Sequence, residues 1–247
     1  MNIALSVIIP AYNEARRLPP YLSAVRLYLD NHYPGCYEVI VVDDGSRDGL
    51  EDVLARLAAE WPELTVMRHP ANRGKGAAVR TGMLEARGEL LLFADADGAT
   101  PIDEETKLSD AVRAGAQVAV GSRLVHAADV TRYRTPARGL VGRLFARLAR
   151  WWLRLSIRDT QCGFKMFTRE GGRQLFTLGQ ELGYLFDLEL LMLADRLGYR
   201  IAEVPVSWSE VAGGHLNLRR ELGGILLGLW RLRQRVNTRD DLPTKPQ

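Results

Sequence analysis

The feature that most constrains this chain is a regular exchange between short apolar runs rich in branched residues and segments of helical spacing. Ala4 to Ile9 is such a run, stopped by Pro10, and it reads as a buried strand because a strand covered on both faces needs no polar alternation. Leu18 to Leu29 returns to helical spacing, with Pro19 and Pro20 at its start, where proline does least harm. The exchange continues with strands at Glu38 to Val42, Leu64 to Met67, Glu89 to Ala94, Gln117 to Val120 and Ile201 to Val206. Helices fall through Leu50 to Ala59, Ala77 to Ala86, beyond Ile102, Leu185 to Leu197 and near Leu218 to Val236. Strand and helix in alternation argue for an α/β fold, a parallel sheet with helices on both faces. Ligands of such sheets bind beyond the carboxyl ends of the strands. The loops after Ile9, Val42 and Ala94 are therefore expected to converge on one cleft.

Composition narrows the class. The chain has 247 residues, 47% of them hydrophobic, enough for one large domain that buries roughly three quarters of its unfolded surface. One domain over 1–236 is expected, with a frayed tail at 237–247. No stretch approaches the ~20 apolar residues of a membrane span, and the start lacks the zones of a signal peptide; a cytoplasmic protein is the expectation. Two cysteines, Cys36 and Cys162, are too few for a disulfide scaffold, and both are expected to be reduced and at or near the core. His32, His69, His126 and His215 are scattered singly, which excludes a zinc knuckle. The net charge of +3 hides an uneven distribution. Between Asp129 and Asp159 there are eight arginines and no acid, which leaves −5 for the remainder.

The candidate chemistry sits in the loops. Pro10, Ala11, Tyr12, Asn13 and Glu14 follow the first strand; Asp43, Asp44, Gly45, Ser46, Arg47 and Asp48 follow the second. Gly45 permits a sharp turn, and Ser46 or Asp48 is placed to cap the next helix. Two adjacent carboxylates at a strand end are not needed for a turn, so one or both of Asp43 and Asp44 should meet the cleft. The third loop reads Asp95, Ala96, Asp97, Gly98. Carboxylates one residue apart can both reach a divalent cation held against phosphates. Asn72 to Gly76 matches neither a P-loop nor a dinucleotide fingerprint; it is a plain turn or a substrate contact through Lys75.

Together these loops resemble the family-2 glycosyltransferases of the GT-A fold, over Ser6 to about His215. More narrowly, Asp95 to Thr100, Gly121-Ser122-Arg123 and the run Arg158-Asp159-Thr160-Gln161-Cys162-Gly163-Phe164-Lys165 resemble the dolichyl-phosphate β-glucosyltransferases. Phe186-Asp187, Glu189 to Leu191, and Ile201 to Glu210 around Trp208 extend the likeness. The resemblance implies a mostly parallel Rossmann-like sheet and an inverting, metal-dependent transfer of glucose from UDP-glucose to a polyprenyl phosphate. It places Pro10, Ala11, Tyr12, Glu14, Asp43, Asp44, Lys75, Asp95 and Ala96 at the nucleotide sugar, and a magnesium or manganese ion on Asp95 and Asp97. Related mannosyltransferases carry Gln where Ala99 stands here, which favours UDP-glucose over GDP-mannose.

A phosphate acceptor is already an anion at pH 7, its second pKa lying near ~6, so such a site needs positive charge more than a base. Arg123 is the first candidate for the acceptor phosphate, Arg134 or Arg138 the second. Lys165 is placed to serve either phosphate, and Asp159 and Asp187 to orient the cations or the sugar. The alternatives are another donor, GDP-mannose or another UDP-sugar, or a hydroxyl acceptor, and for a hydroxyl Asp159 or Asp187 would have to act as base.

Leu140 to Leu155 carries an apolar face with Trp151 and Trp152 beside an arginine stripe, and Leu222 to Leu232 repeats the pattern. Both suit helices lying on an anionic lipid surface as well as ordinary core packing. The resemblance implies an N-terminal anchor in eukaryotic members of the family; none is expected here, so peripheral attachment to the cytoplasmic face of a membrane is the expectation. Nucleic acid is excluded as a partner, since no stacking platform accompanies the arginines.

Overall fold

The computed structural model describes residues 2–125, 127, 132–133, 152–153, 155–210 and 218–238, the side chains of 132–133 and 218–226 aside. Strand β1 (Leu5–Ala11) leads to helix α1 (Leu18–His32), β2 (Tyr37–Asp43) to α2 (Leu50–Glu60), β3 (Leu64–Arg68) to α3 (Lys75–Glu85), and β4 (Leu90–Ala94) to α4 (Glu105–Arg113). Then come β5 (Val118–Ser122), the short β6 (Arg132–Tyr133), β7 (Phe164–Thr168), α5 (Arg169–Leu178), α6 (Phe186–Arg196), β8 (Ile201–Pro205), the short β9 (Trp208–Ser209) and α7 (Leu218–Asn237).

Seven strands form one sheet in the order β3-β2-β1-β4-β7-β5-β8. β1 pairs in parallel with β2 and β4, β2 with β3, and β5 with β8. The α/β reading is borne out, as is the mostly parallel sheet, with one strand the exception. β7 runs antiparallel between β4 and β5. The sequence hides it because Lys165 interrupts Phe164-Lys165-Met166-Phe167, so the segment reads as the tail of a polar loop. Helix α5 was missed with it.

Side chains alternate across the strands and build two apolar layers. Val7, Ile9, Val39 and Val41 pack with Leu22, Val25 and Leu54 from α1 and α2, and with Leu108 of α4. Ile8, Ile40 and Val42 pack with Val79 and Met83 of α3, in one cluster with Leu175, Leu191 and Leu232 from the C-terminal helices. The apolar stripe of α7 is thus partly used inside the protein: Leu229, Leu232 and Val236 are buried, while Leu227 and Trp230 stay exposed. Leu153 and Leu155 are also buried, whereas the arginines proposed for a lipid-facing helix between 134 and 154 lie outside the described residues, as does the tail beyond 238. Cys162 is buried as expected, but Cys36 is exposed. It occupies the turn before β2, where its backbone N–H donates to Tyr33 O at 2.9 Å.

Helix α3 approaches the sheet closely because it carries small residues on its inner face. A Cβ on Gly82 would stand 2.6 Å from Ile8 Cγ2 and 3.2 Å from Val42 Cγ2, and χ1-branched neighbours cannot swing away cheaply. Gly82→Val should therefore lower the unfolding free energy by about 1–3 kcal/mol, read from urea denaturation.

Candidate active site

The first two loops are laced together by their own polar groups. Asn13, held at φ 56, donates its N–H to Ser46 Oγ at 2.9 Å and accepts the Arg47 N–H on Oδ1 at 2.9 Å. The Ala15 N–H donates to Asp48 Oδ2 at 2.8 Å. Ser46 thus ties loop to loop rather than capping α2, whose N-cap residue is Gly49. Of the two adjacent carboxylates, one meets the cleft. Asp44 lines it while ordering the loop that carries Lys75, accepting from His69 Nδ1 at 2.6 Å, the Arg73 N–H at 2.9 Å and the Gly74 N–H at 2.8 Å. Asp43 points elsewhere, taking the Ser46 N–H at 2.9 Å and facing Arg68 Nε at 3.4 Å.

A cavity of about 540 Å³ opens at this end of the sheet. Pro10, Ala11, Tyr12, Glu14, Asp44, Lys75, Asp95, Ala96 and Asp97 all line it, as the sequence suggested. Arg17 and Tyr184 line it as well and were missed. Arg17 had a faint signal, since it stands three residues after Glu14 and its Nε donates to Glu14 Oε2 at 2.7 Å. Tyr184 had none, coming from a distant loop. That loop is held by Glu189, which accepts the Gln180 and Glu181 N–H groups at 2.7 and 2.6 Å, and by the Ala77 N–H on Leu182 O at 3.1 Å. Gly74 and Gly76 make this contact possible: a Cβ would lie 2.4 Å from Leu182 O at the first and 2.7 Å from Glu181 O at the second. The glycines therefore serve the turn and Lys75 serves the cavity.

Asp95 and Asp97 form the acidic centre. Burial raises the Asp97 pKa above the ordinary carboxylate range, and the neighbouring Asp95 charge raises it further; the Ala99 N–H at 3.1 Å offsets part of this. Lys75 Nζ lies 2.6 Å from Asp95 Oδ1. Burial lowers its pKa, but Asp95 and Asp187 outweigh burial and hold it above the usual lysine value. Two like charges kept one residue apart in a partly buried hollow fit a divalent cation, which takes hard oxygen ligands. Among the described residues no group of three or more His, Cys, Asp or Glu is placed to hold a metal ion, and within them Asp95 and Asp97 are the candidate carboxylate ligands.

Asp95 is placed by the reversed strand. Its N–H donates to Gly163 O at 2.9 Å, and a Cβ on Gly163 would lie 1.9 Å from Asp95 Oδ2. A second hollow, about 90 Å³, shares Asp95 and Asp97 and is lined also by Arg123 and Trp208. Arg123 is locked to Asp159: Nε to Oδ2, Nη2 to Oδ1 and the backbone N–H to Oδ2, each at 2.8 Å. Its guanidinium lies 5.5 Å from the Trp208 ring centre. Burial pushes the Asp159 carboxyl up, but the Arg123 guanidinium outweighs it and holds Asp159 below the ordinary range.

Lys165 and Asp187 line neither hollow. Lys165 Nζ, 1% exposed, donates to Asp187 Oδ1 at 2.7 Å and to Cys162 O at 2.5 Å beneath the site. Burial raises the Asp187 pKa, and Lys165 only partly offsets it. Arg134 and Arg138 lie outside the described residues.

Comparison with known proteins adds to this geometry. The model of "Glycosyl transferase family 2" matches residues 6–176. The chain belongs to this family. It is 41% identical over 254 residues to a dolichyl-phosphate β-glucosyltransferase of Drosophila melanogaster, covering 94% of this chain and 78% of that protein. The Homo sapiens protein of the same name is 37% identical over 254 residues, covering 93% and 78%. The resemblance drawn from the 158–165 run is borne out. Among solved structures, glucosyl-3-phosphoglycerate synthase of Mycobacterium tuberculosis, in complex with Mn2+, UDP-glucose and phosphoglyceric acid, superposes with a TM-score of 0.66 at 22% identity, over 97% of this chain and 81% of that one. The glycosyltransferase has the GT-A arrangement.

Two substitutions separate the parts of this glycosyltransferase site. Gly163→Ala should displace Asp95 and weaken Mn2+ binding roughly 10–100-fold, measured by electron paramagnetic resonance of the bound ion, with little change in thermal unfolding. Asp187→Ala leaves Lys165 buried without its partner and should cost about 3–5 kcal/mol of stability, measured by urea denaturation.

Proposed function

We propose that this chain transfers glucose from UDP-glucose to a polyprenyl phosphate, inverting the anomeric centre to give a β-linked lipid-phosphate sugar. The observation that carries the reading is that Asp95 and Asp97 are shared by two hollows of different character. The larger one, with Asp44, Lys75 and Arg17, suits a nucleotide diphosphate. The smaller one, with Arg123 and Trp208, suits a second anion on the opposite side of the sugar. The relatives named for dolichyl phosphate support the acceptor class.

In this reading the acceptor phosphate oxygen attacks the anomeric carbon, the bond from that carbon to the diphosphate oxygen breaks, and the electron pair leaves with UDP. No proton must move, because the acceptor is already ionised. Asp95 and Asp97 would hold a magnesium or manganese ion, which supplies positive charge to the departing diphosphate. Lys75 adds a fixed cation on the same side. Its counterpart is Arg123, whose bonds to Asp159 use two of the five guanidinium N–H donors and leave the rest for a phosphate. A hydroxyl acceptor would need a base, and neither candidate is placed for it: Asp159 is engaged by Arg123 and Asp187 by buried Lys165.

Delivery of the lipid is read as peripheral. Among the described residues no helix is long and apolar enough to cross a membrane, and exposed Leu227 and Trp230 on α7 support contact with a bilayer surface, which this reading takes as the cytoplasmic one.

Incubation with labelled UDP-glucose, GDP-mannose and other nucleotide sugars, magnesium and a polyprenyl phosphate, followed by organic extraction, tests the reading. Label should enter the organic phase from UDP-glucose, and Arg123→Ala should lower kcat/KM for the acceptor roughly 10²–10³-fold. The rate should fall as pH drops below about 6, where the acceptor gains its proton. Label that stays aqueous with every donor would overturn it.

A further inference from the structure

The Arg123–Asp159 pair does not stand on its own. Asp159 belongs to the loop before β7, and Arg123 to the turn after β5. Both segments are joined through a residue that lines neither hollow. Glu203 lies on the edge strand β8, in register with Val120 of β5. Its Oε1 accepts the Ser122 hydroxyl at 2.8 Å and the Asp159 N–H at 2.9 Å, and its Oε2 accepts the Arg158 N–H at 2.9 Å. The Ser122 hydroxyl in turn accepts the Leu124 and Val125 N–H groups at 3.2 Å each, which fixes the turn that presents Arg123. The ring then closes where the Arg123 N–H and guanidinium meet Asp159.

We infer that Glu203 is the positioning residue that aims Arg123 at the Asp95–Asp97 pair, and that it sets acceptor affinity without touching donor or acceptor. The reason lies in its donor and acceptor count. All three groups that approach it present hydrogen, so the position calls for an acceptor-only side chain. A glutamine turns an NH2 group toward at least one N–H or the hydroxyl, and the geometry of one of the two loops is lost. Without that geometry Asp159 still neutralises Arg123 but no longer aims it. The same strand leads into Trp208, whose ring lies against the guanidinium, so the edge strand supports Arg123 from two directions. The inference rests on the proposed function only for what Arg123 binds.

The test uses the full chain with Glu203→Gln and two readouts. Exchange of the Arg123 Nε–H with solvent, followed by nitrogen-15 NMR, should speed up roughly tenfold as the bidentate contact loosens. The KM for polyprenyl phosphate should rise roughly tenfold, while the KM for UDP-glucose stays within about twofold. Equal rises in both KM values, or a folded variant with unchanged exchange and unchanged acceptor KM, would overturn the inference. Should Glu203→Gln not fold, Glu203→Asp carries the same readouts, because it keeps two acceptor oxygens on a stem one methylene shorter. Wild-type protein that puts no label on the lipid would overturn the functional reading, and the exchange measurement then decides this one.

Discussion

Everything at the cleft depends on the contact between Asp95 and Gly163. The two meet along the antiparallel pairing of β4 with β7, where Asp95 donates to Gly163 O and its carboxylate fills the space a side chain would take. The parallel strands reach the cleft with their carboxyl ends, whereas β7 reaches it with its beginning. That reversal brings the Asp159 to Gly163 loop beside the Asp95 loop, although they are more than sixty positions apart in the chain. With β7 parallel to its neighbours, the 158–165 run would have started at the opposite end of the strands.

The acidic side chains around the cleft divide their work according to how each is satisfied. Asp44 accepts from His69 and two backbone N–H groups, so its first effect is on loop geometry. Asp159 is paired, and its ionised form is favoured by Arg123. Asp97 is the contrary case, since burial and the neighbouring Asp95 charge both work against its ionised form. A group held against its own electrostatic preference at the mouth of a hollow is the kind that a cationic ligand relieves.

Much of this was legible in the sequence because local rules agreed with the global ones. The apolar runs at Ala4, Glu38, Glu89 and Gln117 became strands within a residue or two, since burial on both faces leaves no competing pattern. Pro10 to Glu14, Asp44 and Asp95 to Asp97 fell on one cavity because strand direction decides where those loops emerge. Of the features that stayed hidden, three share one physical reason. Lys165 masked β7, Asp43 looked equivalent to Asp44, and Glu203 looked like an ordinary polar residue on a strand. In each case a charged side chain is governed by the particular polar groups around it, Asp187, Ser46 with Arg68, and Ser122 with Asp159, and no hydrophobic period records them.

The Lys165–Asp187 pair has a consequence beyond its own contact. Successive residues of a strand point to opposite faces, so a slip of β7 by one position would move the ammonium to the other side of the sheet, among Leu92, Ala94 and Ala119. Uncompensated charge in such a layer is far more costly than a mismatched methyl. The pair therefore acts as a key that admits a single alignment of the strand, and the alignment it admits is the one that sets Gly163 against Asp95.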